Sequence, residues 1–165
     1  STASEAPTVT RDLLGVLERG RTAIVDDAAR RLTELHLGRY ELVGEHEARV
    51  RLDLLYARVV AAIRARAPDE IVDYAAGLAR ERFTTGYRLE SVQSAFDVLE
   101  TAIWQAVDAE LPSDEHAPAL GLVSSAVGAG KDALGRTYAT LAVRYRVPVL
   151  DVEALFAGNG TIAGS

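Results

Sequence analysis

Between Leu89 and Glu110, the residues Val92, Phe96, Leu99, Ile103 and Val107 recur at spacings of four, three, four and four. At about 100° per residue, those spacings put all five side chains on one side of an α-helix. A strand cannot collect such a set on one face, because its side chains alternate with a period of two. The same helical period returns in the other long stretches of the chain. The fold class that follows is all-α, a bundle of about five long helices.

Residues 1–9 are small and polar and read as a disordered N-terminal segment; the helical domain is expected over 10–157. From Thr10 to Leu37 one stripe carries Leu13, Leu14, Leu17, Ile24, Ala28, Leu32 and Leu35, and Gly38 to Gly44 forms the first connection. A second helix, about Glu45 to Arg66, has a main apolar face of Leu52, Leu55, Tyr56, Val59 and Ile63. Nearly opposite lies a thinner stripe of Val50, Leu54, Ala57 and Ala61. A helix apolar on two sides is either central in its domain or shared with a second subunit.

Ala67-Pro68 ends that helix, since proline disfavours helical geometry in the residue before it. Pro68 then suits the first turn of a third helix, with Asp69, Glu70 and Asp73 complementing its dipole. Ile71, Val72, Ala75, Leu78, Ala79 and Phe83 form its buried face, and Gly86 is the expected left-handed stop. After the fourth helix, Leu111-Pro112-Ser113 breaks the chain. The fifth helix is expected from about Ala117 to Arg146, with Leu120, Val123, Val127, Gly130, Leu134, Tyr138, Leu141 and Tyr145 on one side. Gly130 falls on that apolar side, where lacking a side chain lets another helix approach closely. Val147-Pro148 stops the helix, Asp151 can cap a short last turn, and 158–165 reads as the start of a linker to a C-terminal output domain.

Composition narrows the function classes. A chain of 165 residues with 48% hydrophobic content can bury a core of its own. It has no cysteine, which removes disulfides, thiolate metal sites and thiol nucleophiles and makes a reduced, cytoplasmic setting the expectation. A net charge of −6 argues against nucleic-acid binding by this domain. No apolar run is long enough to span a membrane, and the opening residues lack the basic-then-apolar pattern of a leader.

The fourth helix carries Glu90, Asp97, Glu100 and Asp108 away from its apolar face, with Trp104 between the two faces. No Lys or Arg occurs from Glu90 up to Lys131. Trp104, Asp97, Glu100 and Asp108 therefore form a candidate docking patch for a protein partner, since a buried-on-binding Trp is a frequent interface anchor. The plainer alternative is a solvated face with Trp104 lying on a neighbour.

Chemical sites are sparse. None of His36, His46 and His116 has Glu three residues before it, so the Glu-x-x-His pair of di-iron bundles is absent. Glu34, His36, Glu41, Glu45, His46 and Glu47 supply metal donors but straddle a loop. His116 sits in a polar run expected to be a solvated loop. Without a His in the third, fourth or fifth expected helices, haem has no proximal ligand there. Ser91, Ser94, Ser124 and Ser125 have no Ser-His-Asp frame, and Gly128-Ala129-Gly130-Lys131 lacks the spacing of a phosphate loop. The acids of the fourth helix share a solvent-facing side, where tuned pKa values are not expected. The expectation is a non-enzymatic domain with no cofactor and no metal.

The run DLLGVLERGRTAIVDDAARRL, the core PDEIVDYAAGLARERFTTGYRLESVQSAFDVLETAIWQAV and the ending LDVEALF resemble the N-terminal sensor domain of RsbT co-antagonist (RsbR/RsbD-like) proteins of the bacterial stressosome. The turn motif Arg80, Gly86, Tyr87 and Leu89, followed by Ala95-Phe96 and Ile103-Trp104, carries most of the likeness. The resemblance covers about residues 10 to 157 and implies a globin-like, haem-free, dimeric domain ahead of an output module such as a STAS domain or a PucR-type helix-turn-helix regulator. A smaller likeness, in PDEIV, is to the four-helix dimer of RsbU-type phosphatase activators. The expected function is a cytoplasmic regulatory sensor domain that forms a homodimer, with protein partners and a downstream output domain in the same chain. The alternative is a ligand- or haem-binding sensor.

Overall fold

A computed structural model of the chain describes the backbone of residues 2–35 and 44–145, and side chains within those bounds from Thr8 onward. Among the described residues there are five α-helices and no strand: α1 (Thr2–Glu34), α2 (Glu45–Ala65), α3 (Asp69–Thr84), α4 (Leu89–Glu110) and α5 (Ser113–Tyr145). The chain is an all-α bundle. The expected turn after Pro148, the linker at 158–165, and His36 and Glu41 of the donor cluster lie outside the described residues.

Each boundary has a local cause. α2 and α3 both end in a paired hydrogen-bond closure in which two successive N–H groups reach back over the last turn. In α3, Gly86 supplies the left-handed residue (φ 86°), with Gly86 N–H donating to the Phe83 carbonyl and Tyr87 N–H to the Arg82 carbonyl. In α2 the equivalent position is Arg66 (φ 51°), with Arg66 N–H on the Ile63 carbonyl and Ala67 N–H on the Ala62 carbonyl. Proline ends α4 at Leu111-Pro112, and α5 starts at once.

Two starts differ from those expected. α1 begins at Thr2, ahead of Thr10, and Thr10 itself is buried with its hydroxyl accepting from Arg66 at 2.7 Å. α5 begins at Ser113 rather than near Ala117, because Asp114 and Glu115 suit a helix N-terminus. Pro118 falls in its second turn and costs one hydrogen bond, since it has no N–H to give to the Asp114 carbonyl.

The helices close a ring in the order α1, α2, α3, α5, α4, and back to α1. Consecutive helices α3 and α4 scarcely touch; each packs instead on α5. The five α4 residues that define the helical period are all fully buried, as are Leu52, Leu55, Tyr56, Val59 and Ile63 of α2. Tyr56 donates its hydroxyl to the Leu17 carbonyl at 2.6 Å, and burial raises its pKa. Leu35 and Tyr145, expected on inward faces, are 49% and 60% exposed, although the Tyr145 ring still meets that of Phe83 at 6.1 Å. The second stripe of α2 faces outward: Val50 and Leu54 are exposed and Ala57 and Ala61 half-buried, so α2 is a ring member and not central.

Gly130 does what its place on the stripe implies. A Cβ there would lie 2.9 Å from Cε2 of Phe96 and 3.1 Å from Cγ1 of Ile71, so α5 approaches α3 and α4 at this point more closely than any larger residue permits. No helix among the described residues is long and apolar enough to cross a membrane.

Candidate functional site

One turn before Gly130 the bundle opens. The first half of α5, the end of α2 and the start of the core-facing part of α1 diverge around a cleft of about 970 Å³. Its walls are mostly apolar: Val9 from α1, Ala62 and Ile63 from α2, and Pro118, Leu122 and Ala126 from α5. Small side chains make the space, because Ala62, Ala126 and Ala129 replace what a leucine would fill. Thr10, Arg66, Asp114, Glu115 and Ser125 supply the polar part of the lining.

Two of these polar residues are in unusual states. Arg66 is the one non-glycine with positive φ among the described residues. A left-handed conformation costs an L-residue about 1–2 kcal/mol, and here the strained residue holds Thr10, joining the α2 end to α1 across the cleft. Glu115 is half-buried, with Oε2 buried and without a hydrogen-bond partner. Desolvation raises its pKa, and the neighbouring carboxylates of Asp12 and Asp114 raise it further. Neither residue stands out in the sequence by motif. The one local signal for Arg66 is its place just before Ala67-Pro68, where a helix needs a left-handed terminator and no glycine is present.

The turn motif forms a structural hub at the far end of α3. Two guanidiniums lie over the Tyr87 ring, Arg51 at 5.7 Å and Arg82 at 5.5 Å from its centre. Its hydroxyl accepts from Arg51 at 3.1 Å and its carbonyl accepts from the Tyr138 hydroxyl at 2.9 Å. Phe83 meets Tyr138 edge to face at 5.6 Å. Leu89 is half-buried at the start of α4 and packs on the core. Arg80, singled out from the sequence, is exposed. The buried arginine is Arg82, 7% exposed, with one arm on Glu81 at 2.6 Å and its Nε–H unpartnered; the residue also lines a small void of about 20 Å³. The two arginines lie two residues apart on α3, and helix rotation, which the motif does not encode, decides which one turns inward.

The candidate docking patch on α4 is not uniformly acidic once α5 is beside it. Lys131 binds Asp97, and His116 stands 3.6 Å from Asp108. Glu100 is half-buried; desolvation raises its pKa, while a hydrogen bond from Ser124 and the nearby Lys131 act against that rise. This corrects the expectation of untuned carboxylates on a solvent-facing side: Glu100 lies toward α5 and loses water. Trp104 is 41% exposed. His116, expected in a solvated loop, is in the first turn of α5 with Nε2 2.8 Å from the Leu111 carbonyl. His46 is exposed. Among the described residues no group of three or more His, Cys, Asp or Glu is arranged to hold a metal ion.

No protein-family model, curated protein or solved structure matches this chain. The geometry of the cleft and the residues around it therefore carry the functional argument.

Proposed function

We propose that the chain is a non-catalytic regulatory sensor domain, and that it binds a small, mainly apolar molecule with one polar end in the cleft between α1, α2 and α5. The observation that carries this reading is the cleft itself. Its volume of about 970 Å³ falls within the range of small-molecule sites, roughly 300–1,000 Å³. A mostly apolar wall with a few polar groups is the usual composition of such sites. The α5 wall belongs to a helix of 33 residues, about 50 Å long. A ligand that prefers one arrangement of α5 against its neighbours shifts the whole helix toward that arrangement, and only by its differential affinity for the two.

The resemblance to the RsbR-like sensor domains supports the same reading from the residue pattern. It adds a haem-free globin-like bundle, a homodimer, cytoplasmic protein partners and an output module beyond α5, all as parts of the proposal. Docking through Trp104 is the less favoured reading, because Lys131 neutralises part of the patch it needs.

Binding of 1-anilinonaphthalene-8-sulfonate, followed by its fluorescence, tests the cleft. The folded chain is expected to bind the dye, and Ala126→Trp, which fills the cleft, is expected to abolish binding while keeping the helical circular dichroism. Equal binding by both proteins removes the cleft from the reading. Mass spectrometry of small molecules released from protein purified from its host then identifies the natural occupant.

A further inference from the structure

Along the outward side of α2, Glu47, Val50, Leu54, Ala57, Ala61 and Arg64 follow one another at spacings of three, four, three, four and three. That is the a/d repeat of a coiled-coil seam. The line runs opposite the buried face of α2, and Val50 and Leu54 on it are 44% and 53% exposed. The charged residues bordering it are turned aside. On the α1 flank, Arg49 binds Asp26 at 2.6 Å and Asp53 accepts from Arg21 at 2.8 Å. On the α3 flank, Arg58 reaches Glu70 at 2.6 Å and lies over the Tyr74 ring. What remains between the flanks is an open apolar strip with a charge at each end.

The strip has a direction. An acid comes first, then two large side chains, then two small ones, then a base. We propose that α2 is the two-fold interface of a homodimer, packing antiparallel on α2 of a second copy. A register centred between Leu54 and Ala57 sets Leu54 on Ala57 of the second copy, Val50 on Ala61, and Glu47 on Arg64, once at each end. Large side chains then meet small ones, and opposite charges close both ends of a seam about 26 Å long at 1.5 Å per residue. A parallel pairing sets Glu47 on Glu47 and Arg64 on Arg64, and leaves the alanines facing each other across a gap. Volume and charge therefore select the same orientation, and a two-fold contact needs this self-complementarity of one patch. Glu47 and Arg64 now pair within the chain with Arg51 at 3.3 Å and Glu18 at 2.7 Å, at exposed positions where ion pairs are weak and readily shared.

This inference rests on the homodimer of the proposed function and gives it an interface; it does not depend on the cleft. The two faces meet on one helix, since Ala62 and Ile63 line the cleft from the other side of α2.

The chain has no cysteine, so introduced pairs report cleanly. In the full chain, Val50→Cys combined with Ala61→Cys is expected to give a covalent dimer under mild oxidation. Each single variant stays uncrosslinked, because the two copies of either position lie about 16 Å apart along the seam, beyond the roughly 7 Å that a disulfide spans between Cα atoms. The same separation prevents closure within one chain. In sedimentation equilibrium, Leu54→Glu weakens association at least tenfold with unchanged circular dichroism. Glu47→Arg weakens it too, and mixing Glu47→Arg with Arg64→Glu recovers it. Crosslinking by Val50→Cys alone means a parallel pair and overturns the proposal. A dimer that Leu54→Glu leaves intact and the double cysteine fails to crosslink overturns this interface while the homodimer stands. A wild-type chain that is monomeric at several hundred micromolar sinks both.

Discussion

Gly130 and Ala126 stand one turn apart on the same side of α5, and both are small, yet they have opposite consequences. At Gly130, α5 lies against Ile71 of α3 and Phe96 of α4, and even a methyl group would meet ring carbon at 2.9 Å. At Ala126 the helices have spread, and the missing side-chain volume becomes part of a cleft of about 970 Å³. A small residue closes a bundle where helices converge and opens it where they diverge. The closed region is rigid by close fit; the open one is strained at Arg66 and carries a partly buried, unsatisfied carboxyl at Glu115.

Enlarging the two positions gives the largest contrast. Gly130→Leu is expected to destabilise the fold by roughly 2–3 kcal/mol or more through overpacking. Ala126→Leu, with the cleft to grow into, is expected to stay within about 1 kcal/mol of wild type. Urea denaturation measures both, and equal losses would mean that the cleft collapses in solution.

Arg66 probes the strain on the open side. Arg66→Gly and Arg66→Ala both cut the bond to Thr10, but only glycine accepts the left-handed backbone freely. The glycine variant is expected to be more stable than the alanine variant by about 1 kcal/mol. Identical unfolding midpoints would show that the α2 terminus is not left-handed.

The smallest effect concerns Glu115. A carboxyl whose folded pKa lies above its free value binds its proton more tightly in the folded chain. Its contribution is fully present below the free value and is lost as pH rises through the raised folded one. Glu115→Gln, which cannot ionise, is therefore expected to raise the melting temperature at neutral pH, with the difference fading below about pH 4. A melting-temperature difference that does not change with pH would place Glu115 in solvent, away from Asp12.

Much of the bundle was legible without coordinates because its signals are local. The four-three-four-four spacing gave α4 its face and Leu89–Glu110 its span, Gly86 ended α3, and Gly130 marked a close approach. The candidate sites fared differently. Trp104, Asp97, Glu100 and Asp108 share a helix face, but the charge of that face depends on Lys131 and His116 arriving from α5. Arg80 belonged to the motif, and Arg82 is the arginine that the fold buries.

The chain's own periodicity, prolines and glycines determined five amphipathic helices and the side each turns inward, because a helix buries whatever its 3.6-residue repeat collects. Tertiary structure alone decided where those helices converge and where they spread. Contacts such as Arg66 with Thr10 join residues far apart in sequence, and the angle between two rods is set by the side chains of both, so no single stretch encodes the cleft.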